Sequence, residues 1–202
     1  MATLTMKYLQ EQIEKLSGRL DALEEKREYK KIRAGIGDTF ELAGAKWKVL
    51  DISEKGYLCL ADKLENEMQF DTENNNWITS RLREYLNTEY IEKIAAEIGE
   101  DNIIPFKRDL ISLDGQTEYG ECEDKVSLLT VDEYRKYRNL VPNTEDYWWW
   151  LISPWSTVCN GWEYGTTVVA PSGSVRNRSC HSDYGVRPFC IFSSTIFESE
   201  EE

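Results

Sequence analysis

Residues 147 to 154 read Tyr-Trp-Trp-Trp-Leu-Ile-Ser-Pro, and this run restricts the fold more than any other stretch. Adjacent indoles cannot all share one face of an element. In an extended strand successive side chains point to opposite faces, so alternate rings must fill cores on both sides. The run therefore predicts a central strand, with Pro154 ending its pairing. At 202 residues the chain can bury one such body, with about 30–40 residues left for an appendage. Seven Trp and eleven Tyr in a chain that is 41% hydrophobic supply the apolar surface that disordered chains lack.

The remaining punctuation places short elements around that strand. Thr39 to Ala61 reads as a small antiparallel sheet. Phe40 and Leu42 alternate, and Ala43-Gly44-Ala45 turns the chain. Trp47, Val49 and Asp51 then share one face of the next strand, with Leu50 and Ile52 on the other. Glu54-Lys55-Gly56 turns again into Tyr57 to Ala61. Residues 62 to 76 are mostly polar and are expected to be loop. Leu82, Tyr85, Leu86, Tyr90, Ile94 and Ile98 recur at helical spacing, which predicts a helix over 77–98. Thr79 or Ser80 supplies its N-cap and Gly99 ends it. Residues 100 to 124 read as a long irregular stretch. Val126 to Leu129 is a short buried strand running into Thr130-Val131-Asp132-Glu133, a capping box that opens a helix through Tyr137. Thr166 to Ala170, a Pro171-Ser172-Gly173 turn and Ser174 to Arg178 form a hairpin, and Gly185 to Phe192 is a closing strand. Two main helices among many short antiparallel strands make the class α+β.

The N-terminus follows a different period. Met6, Ile13 and Leu20 occupy heptad position a, and Leu9, Leu16 and Leu23 occupy d. Such a seam is buried only against another helix. The pattern stops after Leu23, and Gly35-Ile36-Gly37-Asp38 breaks the helix. The expected layout is a coiled-coil oligomerisation helix over 1–34, a globular domain over 38–193 and an acidic tail over 194–202. The alternative for the first segment is an amphipathic helix folded back on its own domain.

Charge and composition narrow the partners. Twenty-four Lys and Arg against 37 Asp and Glu give a net −13, the wrong balance for phosphate neutralisation, so no nucleic-acid partner is expected. The basic cluster Lys26, Arg27, Lys30, Lys31 and Arg33 reads as a solvated helix end. No apolar run reaches the roughly 20 residues needed to span a bilayer, so no membrane insertion is expected. The opening residues lack a signal-peptide pattern, which predicts cytoplasmic synthesis. Cys59, Cys122, Cys159, Cys180 and Cys190 contain no CxxC pair and read as reduced core thiols. Cys180-His181 with Cys159 and Cys190 fits no zinc spacing, so neither metal nor cofactor is expected.

In order along the chain stand Trp77, Ser80, Leu82, Arg83, Tyr85, Leu86 and Asn87; Asp124-Lys-Val-Ser-Leu-Leu-Thr-Val-Asp-Glu-Tyr134; Tyr147 to Pro154; and Tyr184-Gly-Val-Arg-Pro188. This ordered set resembles a family of uncharacterised bacterial and bacteriophage domains over residues 39–192. Two departures from the family pattern stand out: Ile152 replaces its usual Arg, and Trp155 its usual Gly. The resemblance implies a C-type-lectin-like fold, shared with formylglycine-generating-enzyme-like domains and with the variable proteins of diversity-generating retroelements, among them phage receptor-binding tips.

Three functions follow for comparison. A formylglycine-generating-type oxidase would need a copper-binding pair of thiols, for which Cys180 and Cys190 stand without that enzyme's surrounding motifs. Calcium-dependent sugar binding would need oxygen ligands, and the lectin signatures are absent; Val141-Pro142-Asn143 lacks the leading carboxylate. A non-catalytic ligand-recognition protein fits best. Its expected contact residues are Trp155, Asn160, Trp162 and Tyr164 before the hairpin, and Arg176, Asn177, Arg178, Ser179, His181, Ser182, Asp183 and Tyr184 on and after its return arm. Tyr, Trp, Arg, Ser and Asn are the residues paratopes use. Every residue from Arg176 to Tyr184 is also reachable from a codon diversified at adenines. The expected partners are a protein or glycan on a cell surface and further copies of this chain through residues 6–23, as in a phage or prophage tail-associated receptor binder. The rival is an intracellular bacterial interaction or structural module.

Overall fold

The computed structural model describes Met6, residues 8–10, 12–17 and 31–198. The chain divides into two compact units, Met1–Lys30 and Lys31–Glu202. In the first, the described residues are helical, and Met6, Leu9, Ile13 and Leu16 are all exposed. The remaining seam positions, Leu20 and Leu23, and the basic residues Lys26, Arg27 and Lys30, lie outside the described residues. Among the described residues no helix is long and apolar enough to cross a membrane.

The second unit is an α+β body of antiparallel sheets. Its largest sheet runs β1 (Thr39–Leu42), β2 (Ala45–Ser53), β3 (Gly56–Ala61), β13 (Phe189–Phe192), β5 (Ile103–Ile104), with β8 (Val126–Ser127) also pairing β13. Phe40 and Leu42 alternate with exposed neighbours as the period-2 pattern requires. A bulge between Val49 and Asp51 breaks that alternation in β2. Trp47 and Val49 enter one core and Leu50 another. Asp51 does not share the face of Trp47 and Val49, contrary to the sequence expectation, because it falls after the bulge. It accepts from the Tyr137 hydroxyl at 2.8 Å and Lys136 Nζ at 2.9 Å. The extra residue of a bulge re-aims every side chain after it.

The helical segment begins at α1 (Arg81–Tyr85), capped by the Ser80 hydroxyl, which accepts from the Arg83 amide. It passes through a π turn, Leu86–Tyr90, into α2 (Ile91–Ile98), which Gly99 ends at φ 80°. Leu82, Leu86, Tyr90, Ile94 and Ile98 enter the first core. Thr130 opens α3 (Val131–Lys136) with the expected reciprocal cap: its hydroxyl accepts from the Glu133 amide, and its own amide donates to the Glu133 carboxylate.

The aromatic run is β9 (Trp149–Pro154), buried at every position. Trp150 and Ile152 belong to the first core and Trp149 and Leu151 to the second, so the rings do feed both faces. Trp150 meets Phe70 and Tyr184 edge-on, and Trp149 meets Tyr134. Ile152 is fully buried in the first core. The strand is not central in its own ladder. The order is β11 (Val175–Ser179), β10 (Gly165–Val169), β9, and the far side of β9 is met by loop bonds from Trp150 to Gly185 and from Ile152 to Leu129.

Three stretches differ from the sequence expectation. Within 62–76, β4 (Met68–Gln69) pairs with β12 (Asp183–Tyr184), and Phe70, Asp71 and Asn75 are buried. Within 100–124, β6 (Phe106–Asp109) and β7 (Glu121–Asp124) form a hairpin. Beyond residue 193 the body continues: Ile196 and Phe197 are buried, the Phe197 ring stacks on Tyr57 at 3.7 Å, and Ile32 bridges Phe197. The first part of the expected acidic tail is therefore core.

Candidate functional site

One surface loop of the body, from Trp155 to Tyr164 between β9 and β10, carries two exposed rings. Trp162 is 56% and Tyr164 50% exposed, with Val158 also exposed beside them. A short 3-10 turn over Val158–Asn160 and Gly161 in the left-handed region (φ 68°) reverse the chain to present Trp162. The His181 ring lies 5.4 Å from Tyr164. A groove of about 340 Å³ opens here, lined by Gly161, Trp162, Tyr164, Gly165, Asn177 and Ser179.

The loop is held from beneath by Asn75, a member of the polar run 62–76. Asn75 is fully buried, and its Nδ2 donates to the carbonyls of Ser156 (2.8 Å), Gly165 (2.5 Å) and, at 3.2 Å, Trp162. Its Oδ1 accepts from the Tyr119 hydroxyl at 2.8 Å, and its amide donates to the Glu163 carbonyl. The other flank is tied to the β6–β7 loop. Asp114 accepts from Ser112, Ser156, Gln116 and Asn160, while Thr157 donates to the Gln116 side-chain oxygen. Those bonds, led by Ser112 and then Ser156, hold the Asp114 carboxyl below its ordinary range. Asn75, Asp114, Gln116 and Tyr119 gave no local signal, because each acts on a segment tens of residues away.

The expected contact residues separate into two groups. Trp162, Tyr164, Asn177 and Ser179 line the groove, His181 stands at its rim, and Asn160 anchors the loop. The others lie elsewhere. Trp155 is half-buried, its amide bonded to the Gly165 carbonyl. Arg176 and Arg178 occupy the face of β11 opposite Asn177 by strand alternation. The Arg178 guanidinium lies 4.2 Å from the Trp148 ring. Asp183 and Tyr184 form β12, with Tyr184 half-buried 5.0 Å from Trp150, and Ser182 sits in the turn before them. Cys180, inside the same window, is fully buried.

Asn177 is the unusual member of the lining. Its side-chain amide lies over Gly165, where a Cβ would stand 2.8 Å from Oδ1. That Oδ1 is buried and has no hydrogen-bond partner among the described residues.

The five thiols do not gather at one place. Cys59 and Cys190 face each other across β3 and β13, fully buried, and burial pushes both well up. Burial raises Cys180 to about 11. Cys159 is exposed rather than in the core, and Glu118 beside it pushes its thiol up. Among the described residues no three His, Cys, Asp or Glu side chains gather as a metal set.

Trp77, Arg83, Asn87, Asp124 and Arg187 build the scaffold instead of the groove. Trp77 Nε1 and Arg83 Nε each donate to Asp124 at 2.7 Å. Asn87 brackets Val126, accepting from its amide and donating to its carbonyl. Arg187 is buried, donating to the Ala61 carbonyl at 3.0 Å and lying 5.1 Å from the Trp149 ring.

These features define an α+β domain that presents a loop-borne aromatic groove on a polar-clamped scaffold. The chain belongs to the family described as Domain of unknown function (DUF6273), whose model matches residues 54–194. Searches of curated proteins and of solved structures returned no match.

Proposed function

We propose that this chain is a non-catalytic ligand-recognition protein whose contact face is the groove beside Trp162 and Tyr164. One observation carries the reading: two large rings stand half-exposed on a loop whose backbone is fixed by a buried amide, Asn75. Isolated exposed apolar residues are ordinary, whereas grouped ones on a rigid support are characteristic of contact surfaces. Pre-ordering the loop lowers the entropy that a ligand must overcome. The exposed seam residues Met6, Leu9, Ile13 and Leu16 support self-association, which would multiply weak faces into avidity.

A tail-associated receptor binder of phage or prophage origin, with a C-type-lectin-like body, is the most concrete form of this reading. Retroelement diversification fits it less well, since Cys180 and Tyr184 in the proposed window pack against the body. An oxidase using Cys180 and Cys190 as thiolates is opposed by the burial that raises both.

The test is retention on a mixed array of bacterial-surface glycans and short peptides. Wild-type chain should be retained on a subset of spots, and Trp162→Ala and Tyr164→Ala should each lose them. Retention that neither substitution changes contradicts the proposal.

A further inference from the structure

Three cavities stand out in the body, and in two of them every lining Lys and Arg is ion-paired. One, about 540 Å³, holds Arg83 and Lys125, paired with Asp124 at 2.7 Å and Glu100 at 2.8 Å. Another, about 480 Å³, holds Arg108, paired with Glu133 at 2.6 Å. The groove at Trp162 differs in kind. None of its six lining residues is charged, and it contains a side-chain amide whose buried acceptor is unpaired.

Resting on the recognition reading above, we infer that this groove takes one ring of a neutral carbohydrate. A pyranose has an apolar C–H face and a rim of hydroxyls that both donate and accept. Indole and phenol rings match the face. An amide matches the rim, because it too offers a donor and an acceptor. Leaving the Asn177 acceptor unpaired over Gly165 is unfavourable, and turning the amide into the groove would give it ligand hydroxyls in place of nothing. Ser179 adds a second neutral hydroxyl. The volume sits at the low end of the roughly 300–1,000 Å³ of small-molecule sites, which suits a single ring.

An extended peptide is the competing occupant, since β11 is the outer strand of its sheet. Backbone bonds from Cys180 to Tyr164 and from Ala170 to Ser174 fix the antiparallel alternation. They leave the Asn177 carbonyl on the free edge. That carbonyl already accepts from Arg178 Nη1 at 2.8 Å, and Arg178 is itself held over Trp148. An edge blunted in this way is a poor template for an added strand.

The experiment is an NMR titration of the full chain with the methyl pyranosides of glucose, galactose, mannose and N-acetylglucosamine. The readouts are saturation transfer to the sugar and the shift of the Trp162 indole N–H. At least one pyranoside should receive saturation and move that resonance at millimolar concentrations. Trp162→Ala should abolish the transfer, and Asn177→Ala should weaken binding by about three- to tenfold. Gly165→Ala, which displaces the amide, should also change the affinity while near-ultraviolet circular dichroism stays native. No response from any of the four sugars overturns the carbohydrate assignment. Retention of array peptides alone, lost on Trp162→Ala, removes the carbohydrate class and leaves the recognition face standing. Binding of every kind that ignores Trp162→Ala removes both.

Discussion

The Asn75 side chain donates a 2.5 Å hydrogen bond to the Gly165 carbonyl, joining two positions 90 residues apart. The same nitrogen reaches the Ser156 carbonyl, so one buried amide closes both ends of the loop that carries Trp162. Asn75→Ala should remove the side-chain partner of the Ser156 carbonyl and of the Tyr119 hydroxyl, and leave the Gly165 carbonyl with the Trp155 amide alone. The expected loss is on the order of 2–4 kcal/mol in chemical denaturation. Hydrogen exchange over residues 156–165 should accelerate even where the fold persists. Unchanged exchange in that loop would contradict the clamp.

Glu133 makes the body acid-sensitive. Burial pushes its carboxyl up, but the Arg108 guanidinium and the Thr130 backbone outweigh burial, so it titrates below its ordinary 4.5. A depressed folded value contributes stability that is present above the unfolded value and lost as pH falls through the folded one. Unfolding free energy should therefore decline as pH drops below about 4.5, and Glu133→Gln should flatten that slope. Glu133→Gln should also destabilise at neutral pH, because it leaves a buried Arg108 without its counter-charge.

The family model spans 54–194, yet that segment is not a complete fold. It omits β1 and β2, whose Trp47 and Val49 fill the first core, and Phe197, which stacks on Tyr57. Expressed alone, residues 54–194 should lack cooperative thermal unfolding, whereas residues 31–202 should unfold in one transition. Equal cooperativity in both would refute this boundary.

The parts legible in the sequence were those set by local chemistry. Thr130 and Glu133 are three residues apart and cap each other directly. Trp149 and Trp150 had to enter different cores because adjacent strand residues face opposite ways. The β6–β7 hairpin was hidden because its inward position is Arg108, buried against Phe106 and Phe189 and answered by Glu133. A charged residue at that place breaks the apolar alternation that marks a strand. Trp162 and Tyr164 were identifiable as aromatic loop residues, whereas Asn75 and Asp114 were not. Their partners lie in other loops, and no spacing rule reaches that far.

The N-terminal seam gives an architectural prediction. Light scattering should find the full chain as an oligomer and residues 31–202 as a monomer, with Ile13→Lys reducing the mass of the full chain. A full-length monomer would contradict self-association through residues 6–23.

Radical footprinting of the full chain with its strongest array ligand tests most directly where a ligand sits. Trp162 and Tyr164 should lose reactivity on saturation while Ile36 and Ile52, exposed elsewhere on the body, keep theirs. Protection that spares both rings and falls instead on the cavity beside Arg83 and Lys125 would contradict the assignment.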